Sequence, residues 1–193
     1  MYIERTDIRL MTDREYTDTE RFFPEISERI RNFLPDDRKR TLAGRFLLKK
    51  MVKEIYGREN FSVFYGENGK PQLDFCFFSI SHSGDYAVCA VSDRPVGADI
   101  ELPARFKRRE KYPLFSERES RYVNAEDSAF RFCLLWTRKE AYVKASGGIL
   151  ASASGAELVT AELALKKSFG GFAFNSEHFG GYVLSTAESE NIL

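Results

Sequence analysis

The stretch Pro95 to Leu102, Pro-Val-Gly-Ala-Asp-Ile-Glu-Leu, sets Asp99 and Glu101 around one apolar residue, Ile100. Taken as a strand, it sends Ile100 to one face and both acids to the other, with their side-chain bases two residues apart. Neighbouring carboxylates repel unless a cation lies between them or one stays protonated. A hard metal ion is the simplest physical use of such a pair. A half-buried strand with a solvated acidic face satisfies the same pattern, and the pair alone does not separate the two.

The rest of the chain limits the company these acids keep. At 193 residues, with 43% hydrophobic and 30% charged residues, it can bury the core of one large domain or of two small halves. Twenty-nine basic and twenty-nine acidic residues cancel, so no whole-molecule field favours nucleic acid, and charge has to act locally. Cys76, Cys89 and Cys133 are odd in number, widely spaced and set among apolar residues, which reads as buried thiols in a reducing compartment without zinc spacing. Glu4, Arg5 and Asp7 stand where a signal peptide needs an apolar run, and no stretch is long and apolar enough for a membrane span. The expected location is the cytoplasm.

Met1 to Leu10 alternates as a strand would, and Ile26, Ile30 and Phe33 repeat at helical spacing within Pro24 to Leu34. A longer helix is expected from Asp36 and Asp37, acids suited to a first turn, to about Tyr56, with Gly57 as its C-cap. Between Arg38 and Lys53 it carries seven basic residues and no acid, so it is either a solvated basic face or an anion-binding one. Phe61 to Tyr65 reads as a strand, and Gly66 to Pro71 as a turn holding Lys70 beside a rigid proline. Phe75 to Ser81 and Tyr86 to Ser92 form a hairpin whose tip, His82 to Asp85, gathers small polar residues. His82 beside Ser81 and Ser83 suits a phosphate clamp, and equally a histidine facing water.

Beyond the acidic strand, Arg105, Lys107, Arg108, Arg109 and Lys111 face only Glu110, a loop that either meets an acidic partner or is solvated. Ser116 and Glu119 have the spacing of a capping box, a structural task for Glu119 that competes with any catalytic one. A helix from about Glu126 to Ser146 aligns Trp136, Glu140 and Lys144 at intervals of four, consistent with an exposed ion pair. Gly147 and Gly148 end it. Glu157 to Leu165, Phe172 to Glu177 and Tyr182 to Ala187 read as short antiparallel strands with turns at Gly170-Gly171 and Gly180-Gly181. Helices followed by a β-rich run occur before and after about residue 93, so two similar α+β halves are expected, 1–93 and 94–193.

Six segments in this order carry a resemblance: Arg40-Thr41-Leu42-Ala43-Gly44, Gly69-Lys70-Pro71, Ser79 to Gly84, Gly97 to Glu101, Phe115-Ser116 with Glu119, and Trp136 to Glu140 with Lys144. Together they resemble the phosphopantetheinyl transferase family in its two-half form, over roughly half of the chain. The resemblance implies an α+β fold of two pseudo-two-fold-related halves with the active site between them. It implies transfer of the phosphopantetheine arm of coenzyme A to a serine of an acyl or peptidyl carrier protein, releasing adenosine bisphosphate, with Mg²⁺ required.

By the same resemblance, Asp99, Glu101 and Glu140 match metal ligands, Glu119 a general base, and Lys144 a group that neutralises or protonates the leaving phosphate. Arg40 and His82 match holders of the nucleotide phosphates, with Lys70 and Ser81 nearby. The basic residues Arg105, Lys107, Arg108 and Arg109 suit the acidic helices of a carrier protein. A monomer is expected, with neither nucleic acid nor membrane as partner. The chain departs from the family where Gly147-Gly148-Ile149-Leu150 replaces the usual Gly-Lys-Gly-Leu. The N-terminal basic residues that some members use do not align, leaving Arg29 and Arg31 as substitutes. Rival functions that keep the pocket are a non-catalytic coenzyme A or nucleotide binder and a pyrophosphate hydrolase.

Overall fold

A computed structural model describes residues 1–66, 69–103, 114–125 and 127–191. The chain divides into two compact units, Met1–Asp93 and Arg94–Leu193. Each combines helices with antiparallel sheet, so the molecule is α+β.

The first unit is organised by one helix on one sheet. Strand β1 (Tyr2–Asp7) is followed by α1 (Asp13–Phe22), α2 (Pro24–Arg29) and α3 (Pro35–Tyr56), then by β2 (Phe64–Tyr65), β3 (Pro71–Gln72), β4 (Phe77–Ser83) and β5 (Tyr86–Ser92). Helix α3 begins with Pro35, Asp36 and Asp37 in its first turn and ends at Gly57, whose φ of 65° fits the left-handed cap. Leu42, Leu47, Leu48, Met51 and Val52 of α3 are buried in one core with Ala87, Cys89 and Val91, alternate residues of β5, and Phe78 of β4. The sheet order is β1-β5-β4, antiparallel throughout.

Several expectations change in this unit, among them the helical spacing read over Pro24 to Leu34, since α2 ends at Arg29. Helix α1 is unheralded in the sequence reading, although Thr12-x-x-Glu15 is a capping box and both of its reciprocal bonds form. The strand expected from Phe61 shrinks to Phe64–Tyr65, because the Phe61 ring joins an edge-to-face cluster with Phe22, Phe23 and Phe75. The β4–β5 hairpin turns on Gly84 and Asp85 alone, with Gly84 at φ 55° in the first turn position. His82 therefore lies inside the ladder, opposite Ala87, rather than at the tip.

The second unit contains β6 (Val96–Glu101), α4 (Glu117–Asn124), α5 (Ser128–Ser146), β7 (Ser168–Phe169), β8 (Phe172–Phe179) and β9 (Tyr182–Ser189). The sheet order β6-β9-β8-β7 seats the acidic strand beside the last one. Its β7–β8 and β8–β9 hairpins turn on Gly170-Gly171 and Gly180-Gly181, all four at positive φ, as a two-residue I′ turn requires. The strand expected over Glu157 to Leu165 is a single bridge, Val159 to Leu165, because the chain doubles back through Thr160–Ala164 bonding with Leu163 at φ 58°.

Register decides what α5 meets. Gly97, Asp99 and Glu101 lie opposite Ala187, Ser185 and Val183, and these in turn lie opposite Phe174, Ser176 and His178. Directly paired residues share a face. Ala141 and Ala145 of α5 pack on this face with Ala187, Phe172 and Phe174. At Gly97 the helix comes so close that an added Cβ would overlap the carbonyl oxygen of Ala141 and lie 2.7 Å from the amide nitrogen of Ala145. Neither obstacle is a flexible side chain. Gly97→Ala is therefore expected to lower the unfolding free energy by about 1–3 kcal/mol. Gly155→Ala, where a Cβ meets nothing within 4 Å, is expected to stay within about 0.5 kcal/mol of the parent. Urea denaturation of the two variants makes the comparison.

Candidate functional site

The close approach at Gly97 brings Lys144 to the acidic strand. Its ammonium donates to Asp99 Oδ1 at 2.6 Å and to the Ala98 carbonyl at 3.1 Å. The Asp99 carboxylate is 7% exposed and the lysine side chain 29%, so the pair sits at the edge of solvent. Glu101, two residues along the same face, and Glu140, one helical turn before Lys144, are both half-buried. Ile100 is wholly buried on the other face. Lys144 is thus paired between helix and strand, with Asp99, a partner that the spacing along the helix does not announce. Among the described residues, no three His, Cys, Asp or Glu side chains converge as a metal cluster. Asp99 and Glu101 nonetheless supply the hard oxygen donors that Mg²⁺ takes, one or two carboxylates with water and phosphate completing the shell. The lysine on Asp99 already marks it as a seat for positive charge.

Glu119 has a different setting. It is the third residue of α4, and the capping box forms: its backbone N–H donates to Ser116 Oγ at 3.1 Å, while its Oε2 accepts from the Ser116 N–H at 3.1 Å. Oε1 accepts from the Leu158 N–H at 3.0 Å. Lys139 Nζ lies 2.9 Å from Oε2, and both side chains are 0% exposed. That ammonium also donates to the carbonyls of Ala153 at 2.7 Å and Ala156 at 2.6 Å. Burial depresses the lysine's pKa and the neighbouring Glu119 opposes that shift, so the charged form depends on its acid. Sequence reasoning passed over Lys139. Its only signal is position: it falls three residues after the buried Trp136, on a helix with buried residues on several sides.

The residues matched to the nucleotide lie in the first unit. Arg40 on α3 bonds Asp37 at 2.7 Å and donates through Nε to the Gly84 carbonyl at 3.0 Å. It lines an open cleft with Ile8, Arg9, Lys39, Gly84 and Asp85. Lys70 is half-buried, and burial lowers its pKa. Ser81 is buried and His82 exposed, and strand alternation puts them on opposite faces of β4. Arg105, Lys107, Arg108 and Arg109 lie outside the described residues. The three cysteines are buried free thiols, and burial raises the Cys76 pKa to about 11. No helix of the described residues is long and apolar enough to cross a membrane.

Two family models match consecutive parts of the chain. The model of the 4'-phosphopantetheinyl transferase superfamily covers residues 95–187, and that of the 4'-phosphopantetheinyl transferase N-terminal region covers residues 12–94. Among similar proteins, the 4'-phosphopantetheinyl transferase gsp of Aneurinibacillus migulanus is 37% identical over 119 residues, 58% of this chain and 49% of the relative. The 4'-phosphopantetheinyl transferase psf-1 of Bacillus pumilus is 37% identical over 135 residues, 63% of this chain and 54% of the relative. For the 4'-phosphopantetheinyl transferase Sfp of Bacillus subtilis (strain 168) the figures are 32% over 133 residues, 64% and 59%. The match thus spans about half of each relative's length. The two models meet at the boundary between the two units, and with the sheet and helix arrangement above they place the chain in the 4'-phosphopantetheinyl transferase superfamily, of the Sfp type.

Proposed function

We propose that the protein transfers the phosphopantetheine arm of coenzyme A to a serine of an acyl or peptidyl carrier protein, with Mg²⁺, releasing adenosine 3',5'-bisphosphate. One observation carries the reading: Lys144 Nζ lies 2.6 Å from Asp99 Oδ1, with Glu101 on the same strand face and Glu140 one turn away on the helix. A cation and hard oxygen donors meet at the edge of solvent, which is what attack on a pyrophosphate requires. The names of the relatives support the reaction class.

Asp99 and Glu101 from β6 and Glu140 from α5 would hold the metal, whose chemistry there is to draw charge from the pyrophosphate oxygens. Lys144, on the same helical face as Glu140, is set to pass from Asp99 to the phosphate that departs. Arg40, with Lys70, Ser81 and His82, would hold the phosphates of coenzyme A, the arginine through its forked donors. Because Ser81 and His82 point to opposite faces, they would act separately and not as one clamp. Arg105, Lys107, Arg108 and Arg109 would meet the acidic helix of the carrier by charge complementarity. Removal of the serine proton falls to a carboxylate that solvent reaches. Glu101 and Glu140 are half-buried, whereas Glu119, matched to this role by resemblance, is fully enclosed.

Incubated with coenzyme A, Mg²⁺ and apo carrier proteins, the protein is expected to increase a carrier's intact mass by one phosphopantetheine group. Release of the arm to water without a carrier would instead identify a hydrolase, and no reaction across several carriers would overturn the reading. Asp99→Asn is expected to weaken Mg²⁺ binding in calorimetry by about tenfold or more, and to reduce transfer by at least as much. Unchanged Mg²⁺ affinity in that variant would remove the metal from Asp99.

A further inference from the structure

Helix α5 is held from two sides, and only one of them is apolar. With about 100° of rotation per residue, Thr137, Ala141 and Ala145 lie about 160°, 200° and 240° around the helix from Lys139. These three form the face turned to the sheet: Ala141 and Ala145 against Gly97, and the Thr137 hydroxyl 2.7 Å from that of Ser185, opposite Asp99 in the ladder. Lys139 is on the far side. Its ammonium enters a closed setting of the Glu119 carboxylate and the Ala153 and Ala156 carbonyls, three oxygens at 2.6–2.9 Å. Glu119 in turn holds the Leu158 N–H and the first turn of α4. One buried lysine thus joins α5, the start of α4 and residues 153–158.

We infer that Lys139 and Glu119 form a positioning pair that fixes the rotation of α5 about its axis and thereby aims Glu140 and Lys144. Glu140 and Lys144 lie about 100° and 140° around from Lys139, within about 40° of each other. A small turn of the helix moves both together. An apolar contact of small residues resists sliding poorly, since alanine and glycine surfaces interlock little. Three charged or polar bonds from one ammonium have a single register. On this account Glu119 acts through Lys139 and touches no reacting atom. Both of its carboxylate oxygens are committed inside the protein, to Ser116, Leu158 and Lys139, so the base role that the resemblance implied is not the one it serves on this account.

The inference rests on the transferase reading for its kinetic consequences, but not for its structural one. Three variants decide it: Lys139→Met, which keeps the length and apolar stem, Glu119→Gln, which keeps the hydrogen bond from Leu158, and the two together. Each single variant is expected to lower kcat for arm transfer by about 10- to 100-fold, as misplacement of reacting groups does, with KM for coenzyme A changed less than about threefold. The double variant, which leaves no uncompensated buried charge, is expected to lose no more than either single one. Hydrogen exchange needs no activity: amides of residues 153–158 are expected to exchange faster in Lys139→Met and in the double variant.

Near-native kcat in Lys139→Met with Glu119→Gln inactive would overturn the inference and make Glu119 the base. Unchanged exchange at residues 153–158 in Lys139→Met would overturn it too. If a single variant fails to fold, the double variant carries the kinetic test: a folded double variant losing more than about a thousandfold in kcat shows a chemical need for the Glu119 carboxylate and refutes a positioning role. Should the parent transfer nothing to any carrier, the transferase reading fails, while the exchange result still decides whether the pair pins this segment.

Discussion

The contact between Gly97 and the backbone of α5 is the constraint from which the second unit follows. A side chain at residue 97 would stand the helix away from β6, and the reach of Lys144 to Asp99 Oδ1 would be lost with it. Small residues at 97, 141, 145 and 187 make the approach possible. They also make it weak in apolar terms, since each buries little area. The unit offsets this with a chain of polar bonds that starts inside the contact: Thr137 to Ser185, Ser185 to Ser176, and Arg138 to Ser176 at 2.9 Å. Burial lowers the Arg138 pKa, so its guanidinium needs these oxygens, including the Lys166 carbonyl at 2.8 Å.

The first unit shows the opposite economy. Here α3 lies on its sheet through large side chains, Leu47, Leu48 and Met51, and only Gly44 against Ile80 repeats the close approach. One charged group is buried in that apolar setting. Arg45 is 4% exposed, lies over the rings of Phe23 and Phe78, and donates to Tyr65 Oη at 2.9 Å. Burial pulls its pKa down, but the flat guanidinium accepts aromatic neighbours better than a strongly hydrated ammonium does. The basic run along α3 is thus not one solvated face. Arg45 is internal, Lys50 bonds Glu4 at 2.7 Å, and Arg40 holds the β4–β5 turn.

What was legible in the sequence is local. The Ser116–Glu119 box, the ends of α3 and α5, and the paired-glycine turns depend on residues a few positions apart, and each formed at the expected place. The alternation that sets Ile100 against Asp99 and Glu101 held for the same reason. What was not legible depends on partners distant in the chain. Nothing near Lys144 announces Asp99, 45 residues earlier, and the i, i+4 acid Glu140 is the partner that local spacing favours. Lys139 is hidden in the same way: its three oxygens come from residues 119, 153 and 156. His82 was misplaced by two residues because the turn needs only Gly84 and Asp85.

The departure after α5 can be judged on the same local physics. Gly147 takes φ 72° and donates its N–H to the Val143 carbonyl, and the Gly148 N–H reaches the same carbonyl at 3.1 Å. The helix therefore stops as a left-handed glycine cap stops it, and the first glycine of the family's Gly-Lys-Gly-Leu keeps its backbone task. Gly148 gives the backbone a freedom there that the family's lysine lacks, and Ile149, 59% exposed, replaces a glycine with an apolar surface. Relative to the family's pattern the chain loses a positive charge, its second glycine moves from position 149 to 148, and the helix end is unaltered. Any consequence for the carrier or the pantetheine arm must then come through charge and surface at residues 148 and 149, because the helix that bears Glu140 and Lys144 ends as it would with the usual sequence.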